Sequence, residues 1–146
     1  MRNIVIFSVL TLLVLSSYSD KKPIIDNGEN KNKILTLDTH KWYLTTIYRT
    51  NGYTQVLLRK AFISFNPTDG KVGGNGSCNS FGGKLTVDGN NLQLGNIFST
   101  KMYCDAVQSI EDDFFAQLQK VTRYEIKGNK LLLFAGEDLL LDFEAS

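Results

Sequence analysis

Residues 73–104, GGNGSCNSFGGKLTVDGNNLQLGNIFSTKMYC, constrain this chain more than any other stretch. They hold both cysteines, Cys78 and Cys104, and seven of the twelve glycines. Glycine weakens a regular strand interior and marks turns, bulges or a close approach by another backbone. Lys84–Val87 and Leu92–Leu94 flank Asp88-Gly89-Asn90-Asn91, which reads as a hairpin. Lys71–Gly76 is too glycine-rich to be a regular strand interior. Ile97–Tyr103 reads as an extended segment that delivers Cys104 to the start of the next element.

That element changes period. In 109–121 (SIEDDFFAQLQKV), Ile110, Phe114, Leu118 and Val121 recur at the three-to-four spacing of one helical face, with Phe115 beside them. Ser109 is placed as an N-cap with Asp112 reaching back, and Glu111, Asp112 and Asp113 sit where the helix dipole favours negative charge. Elsewhere the short alternating runs are strands. Lys41–Tyr48 sets Trp42, Leu44 and Tyr48 on one face, with Trp42 as core anchor. Asn51-Gly52 is a turn before a run at Thr54–Leu58, and Lys60–Phe65 ends in the turn Asn66–Gly70. Tyr124–Ile126, Leu131–Phe134 and Leu139–Phe143 form a closing meander. Seven or eight short strands with one helix predict an α+β, mostly β domain. A sheet of that size must curl, giving a strongly curved antiparallel sheet or incomplete barrel plugged by the helix through Phe114 and Leu118.

Met1–Ser19 has the form of a secretory signal: Arg2, an apolar run from Ile4 to Leu15, and small residues before Asp20. The run is shorter than the roughly 20 residues a spanning helix needs. Residues 20–38, polar and charged with Pro23 and Gly28, read as a flexible tether, and 39–146 as one domain. Without its first nineteen residues the chain has equal numbers of basic and acidic groups. Such a chain has no long-range field to gather nucleic acid. Export favours one disulfide between the cysteines, because that compartment is oxidising. Closing the loop between positions 78 and 104 removes about 3.5 kcal/mol of unfolded-chain entropy. Two buried thiols, and a Cys–His dyad using His40, are the alternatives.

Several motifs occur in order along the chain: Trp42-x-Leu44, Cys78-Asn79-Ser80-Phe81-x-Gly83, Leu85–Leu92, Ser99-Thr100-Lys101-Met102-x-Cys104, Glu111 before an aromatic-rich helix, and Tyr124-x-Ile126-x-Gly128-Asn129-x-Leu131. This set resembles the META domain, or HslJ-like, family of exported bacterial proteins. The resemblance covers about residues 40–143 and rests most on Trp42, Cys78, Asn79, Phe81, Gly83, Thr100, Met102, Cys104 and Glu111. Ser77, where the family more often has Gly, and Tyr103, where a small residue is usual, depart from the pattern. The resemblance implies a small β-rich fold with one helix, located in the periplasm or at the outer membrane. It also implies an association with stress and antibiotic tolerance, and no defining catalytic activity, so no catalytic residue carries over.

The glycines before Cys78 lead into a hairpin rather than a helix, so a phosphate cradle is not expected. Consecutive helical carboxylates point in different directions, so neither a metal site nor a cofactor is expected from Asp105 and Glu111–Asp113. The density of Phe and Tyr suggests instead a groove between helix and sheet, formed by Phe98, Tyr103, Phe114, Phe115 and Leu118, that takes an acyl chain or an apolar peptide. The expected function is that of an exported, non-enzymatic envelope protein binding a protein or apolar ligand. The alternatives are an inhibitor of an envelope-directed hydrolase, acting through a loop such as Asn51–Gln55, and a cysteine-dependent enzyme.

Overall fold

The computed structural model describes residues 36–56 and 60–146. The expected signal at 1–19 and almost all of the tether lie outside the described residues, as do Leu57 and Leu58.

The described residues form nine antiparallel strands and one helix, in the order β1 (Trp42–Arg49), β2 (Gly52–Gln55), β3 (Phe62–Asn66), β4 (Lys71–Asn75), β5 (Ser80–Asp88), β6 (Asn91–Ser99), α1 (Gln108–Leu118), β7 (Arg123–Lys127), β8 (Lys130–Ala135) and β9 (Asp138–Ala145). Neighbours in sequence are neighbours in space except at β1, whose one edge carries β3 at its start and β2 at its end. The other edge of β1 pairs with β9, Trp42 opposite Ala145 and Ile47 opposite Leu141. The sheet therefore curls into a ring, as a run of so many short, twisted, hairpin-linked strands must. Its weakest seam lies between β6 and β7, where a single residue pair, Asn91 with Arg123, joins the strands.

Inside the ring the apolar faces of the strands meet the helix. Trp42, Leu44, Ile47, Ile63, Leu92, Leu131, Leu133, Leu141 and Phe143 are fully buried, and Phe114 and Leu118 of α1 are buried among them. Phe114 makes edge contacts with Phe81 and Phe143, ring centroids 5.7 and 6.3 Å apart. Trp42 places its indole inside and gives its Nε1–H to the carbonyl of Leu37 at 3.0 Å, so its one polar atom is satisfied.

Three expectations change in detail. On β1 the pairing to β9 slips between Leu44 and Thr46, a bulge that reverses the inside–outside alternation. Ile47 therefore enters the core while Tyr48 is only half-buried. Lys71–Asn75 is a regular strand despite its glycines. Gly74 is packed so closely under the Phe62 carbonyl and the Phe81 ring that a Cβ there would overlap both, so glycine is what permits the pairing. The helix begins at Gln108 with Val107 at its N-cap position, and no side chain caps it. The backbone already turns through Val107 N–H to Cys104 O (3.0 Å), which leaves Ser109 inside the first turn instead of before it.

Candidate functional site

Cys78 and Cys104 are joined by a disulfide, with Cα atoms 6.0 Å apart. The bond links the turn before β5 to the segment that enters α1. Beneath it lies a polar knot. Asn79, 4% exposed, accepts from the Thr100 hydroxyl and from the Met102 N–H through Oδ1, both at 2.7 Å. Its amide nitrogen donates to Met102 O at 2.9 Å and to Glu111 Oε2 at 2.5 Å. Glu111, 2% exposed, also accepts the backbone N–H groups of Cys78 and Asn79 at Oε1, at 3.1 and 2.6 Å. A buried polar group is tolerable only when its bonding capacity is met, and this pair meets it by joining three chain segments. Gly76 is part of the same arrangement, since a Cβ there would lie 2.6 Å from Glu111 Oε1 and 2.9 Å from the Phe115 ring.

The carboxylates expected to complement the helix dipole, with Asp112 also reaching back to a cap, have separate partners instead. Glu111 turns inward to the knot, Asp112 accepts from Gln108 at 2.8 Å, and Asp113 pairs with Arg49 of β1. That pairing raises the Arg49 guanidinium above its ordinary value, chiefly through the hydrogen bond to Asp113. Asp105 receives the Tyr103 hydroxyl at 3.2 Å. His40, the base of the alternative Cys–His dyad, packs edge-on against the Trp42 ring at 6.1 Å, and its Nε2 is enclosed without a partner. With both sulfurs in a disulfide, neither cysteine offers His40 a thiol.

The residues of the expected groove divide. Phe114 and Leu118 belong to the core and line no opening. Phe98 and Phe115 share a cleft of about 560 Å³ between the end of β6 and α1, together with Ile97, Ser99, Lys101, Asp112, Ala116 and Gln119. Tyr103 and Phe115 share a smaller one of about 190 Å³ over the polar knot. Phe98 also walls a third, of about 480 Å³, on the outside of β4–β6, where its ring lies over Gly82 and Lys71 stands across from Lys84. The outer rim of these clefts is apolar: Phe98, Met102 and Tyr103 are 70%, 58% and 76% exposed.

The profile of the META domain family matches residues 35–146. The chain belongs to the META domain family. No curated protein matches it. Solved structures share the fold at low identity. A protein from Burkholderia xenovorans, solved by NMR, is 21% identical over 75% of this chain and 83% of its own, with a TM-score of 0.62. Another NMR structure is 18% identical over 77% of this chain and 96% of its own, with a TM-score of 0.56. A crystal structure described as a duf4847 family protein from Bacteroides vulgatus is 17% identical over 75% and 94%, with a TM-score of 0.56.

In this META domain the motif residues mostly build the frame. Trp42 and Phe81 fill the core, while Asn79, Thr100, Met102 and Glu111 make the knot that the disulfide covers. Gly83 lies under a bulge, where a Cβ would press on the Ile97 side chain and, at 3.0 Å, on the Gly95 carbonyl. Ser77, the departure from glycine, sits at φ 112°, in the region that favours glycine. The role of Glu111 as an acceptor was not visible from its spacing, because helical position gives a direction and not a partner. Its place in the ordered motif was the available signal. Among the described residues no helix is long and apolar enough to cross a membrane.

Proposed function

We propose that this META domain protein is exported to the bacterial cell envelope and works there by binding, without catalysing a reaction, in the stress- and antibiotic-tolerance setting that the family suggests. The observation that carries this reading is the rim of Phe98, Met102 and Tyr103, three large side chains left in solvent on a segment held by covalent and buried polar ties. Rigid aromatic side chains in the open are a costly way to end a strand, and they are what recognition surfaces use as anchors. The first nineteen residues and the disulfide support the envelope as the location.

Tyr53 favours a second reading, as an inhibitor of an envelope-directed hydrolase. It stands 64% exposed on the β1–β2 hairpin, steadied by the Tyr48 ring at 6.2 Å. Site-specific photocrosslinking in intact cells separates the two. A crosslinker at Met102 that captures one envelope component, lost in Tyr103→Ala and Phe98→Ala but kept in Tyr53→Ala, supports the first. Capture only from position 53, or none from either, overturns it.

A further inference from the structure

We propose that the cleft between β6 and α1 receives an extended peptide segment of a partner protein, which pairs with β6 as an added strand along Ile97–Ser99. This deepens the binding role proposed above and rests on it.

The seam between β6 and β7 is staggered. It is held by Leu92 N–H to Thr122 O and Tyr124 N–H to Asn90 O, both 2.9 Å, around the pair Asn91–Arg123. Antiparallel register places the rest of β6 opposite residues that precede β7, and those residues belong to the end of α1 and the turn after it. Beyond Leu92, therefore, no strand among the described residues pairs with β6 on the side away from β5. Backbone groups of a strand point alternately to its two edges. Thr100 N–H bonds Ser80 O on the β5 side, so the N–H and C=O of Ser99 and Ile97 point to the open edge. The β5–β6 register slips between Gly82 and Lys84, and Asn96, at φ 50°, is the extra residue on β6. A bulge bends and twists the strand that carries it, and here it turns Ile97–Ser99 along the mouth of the cleft.

An extended peptide supplies donors and acceptors at the repeat that such an edge presents, and edge addition is a known mode of peptide capture. Exposed edges are ordinarily guarded by charges or proline. Across the seam β7 carries Arg123, Glu125 and Lys127, whereas Gln93–Ser99 contains no charged residue and no proline. The far wall of the cleft is α1, through Asp112, Phe115, Ala116 and Gln119. The cleft between that strand and the helix is about 560 Å³, which suits a short extended segment better than the sheet of a second folded copy. An apolar side chain of the incoming segment would stand between Phe98 and Phe115, with Lys101 and Asp112 meeting its polar ends.

The test uses the full-length protein labelled for amide NMR and short synthetic peptides alternating Thr with Val or Tyr as probes. The expected result is movement and slowed exchange of the Ile97 and Ser99 amides. Affinity should fall at least about tenfold when alternate peptide nitrogens are methylated, since each lost strand bond counts and tenfold is 1.4 kcal/mol. Ala116→Arg, at an exposed cleft position, should remove binding while leaving the melting temperature unchanged. Equal affinity for the methylated peptide overturns the proposal, as does absence of any response at Ile97 and Ser99. Protection at Ile97 and Ser99 that grows with protein concentration and without peptide overturns it in favour of a second copy. A crosslinked partner at Met102 together with a silent β6 edge leaves the binding role standing and removes only the added strand.

Discussion

Asn79 gives Glu111, thirty-two positions later, two hydrogen bonds: its backbone N–H to Oε1 at 2.6 Å and its side-chain amide to Oε2 at 2.5 Å. Through this pair the turn before β5 and the first turn of α1 behave as one piece, and the Thr100–Met102 segment is clasped to both. Glu111→Gln keeps the shape but must set an amide N–H₂ against one of three donors. We expect a loss of about 1–3 kcal/mol, the cost of leaving a buried donor unpaired, read from the midpoint of urea unfolding. Glu111→Ala, which strands all three, should cost more. No change in either variant would show that the knot is not formed in solution.

The disulfide covers that knot. Replacing both cysteines, Cys78→Ser with Cys104→Ser, should destabilise the domain by about 2–5 kcal/mol, and reductant should lower the melting temperature of the natural chain by a matching amount. An unchanged melting temperature under reductant would mean that the two sulfurs are not joined.

Ser77 holds a positive φ of 112° that a side chain disfavours. Such a residue costs about 1–3 kcal/mol, and glycine returns about 0.5–1 kcal/mol of that through unfolded-chain entropy. Ser77→Gly should therefore stabilise the protein, by up to about 2 kcal/mol in thermal unfolding. A lower melting temperature would show that the serine makes a compensating contact.

Phe114 and Phe98 were both expected to line one groove, and they should now separate cleanly. Phe114→Ala removes a fully buried ring and should cost about 3–5 kcal/mol. Phe98→Ala, at a mainly exposed position, should change stability by less than about 1 kcal/mol. Equal losses would mean that Phe98 packs into the fold and is not held out for a partner.

Lys130 donates to Asp142 Oδ2 at 2.9 Å, and that hydrogen bond, with the Asp142 charge, raises its amine above the ordinary value. A group raised in the folded state stabilises fully below its unfolded value, about 10.4, and that contribution is lost as pH rises through the folded value. Lys130→Met should accordingly be less stable than the natural chain at neutral pH, with the gap closing above about pH 10.4. A gap that persists unchanged into strong alkali would assign the effect to packing of the lysine stem.

The sequence by itself determined the elements whose information is local. The three-to-four spacing of Ile110, Phe114 and Leu118 made a helix, the Asn66–Gly70 and Asp88–Asn91 signals made turns, and short aromatic, β-branched and apolar runs made strands of Trp42–Tyr48 and Leu131–Phe134. These follow from backbone dihedral preferences and side-chain periods that a few neighbouring residues settle. Tertiary structure alone decided that Lys71–Asn75 is a strand, that a bulge sends Ile47 inward, that Glu111 answers Asn79, and that β7 meets β6 only at Asn91–Arg123. Each of those depends on register between segments far apart in the chain. Register is fixed by which side chains can share the interior, and local spacing carries no record of that.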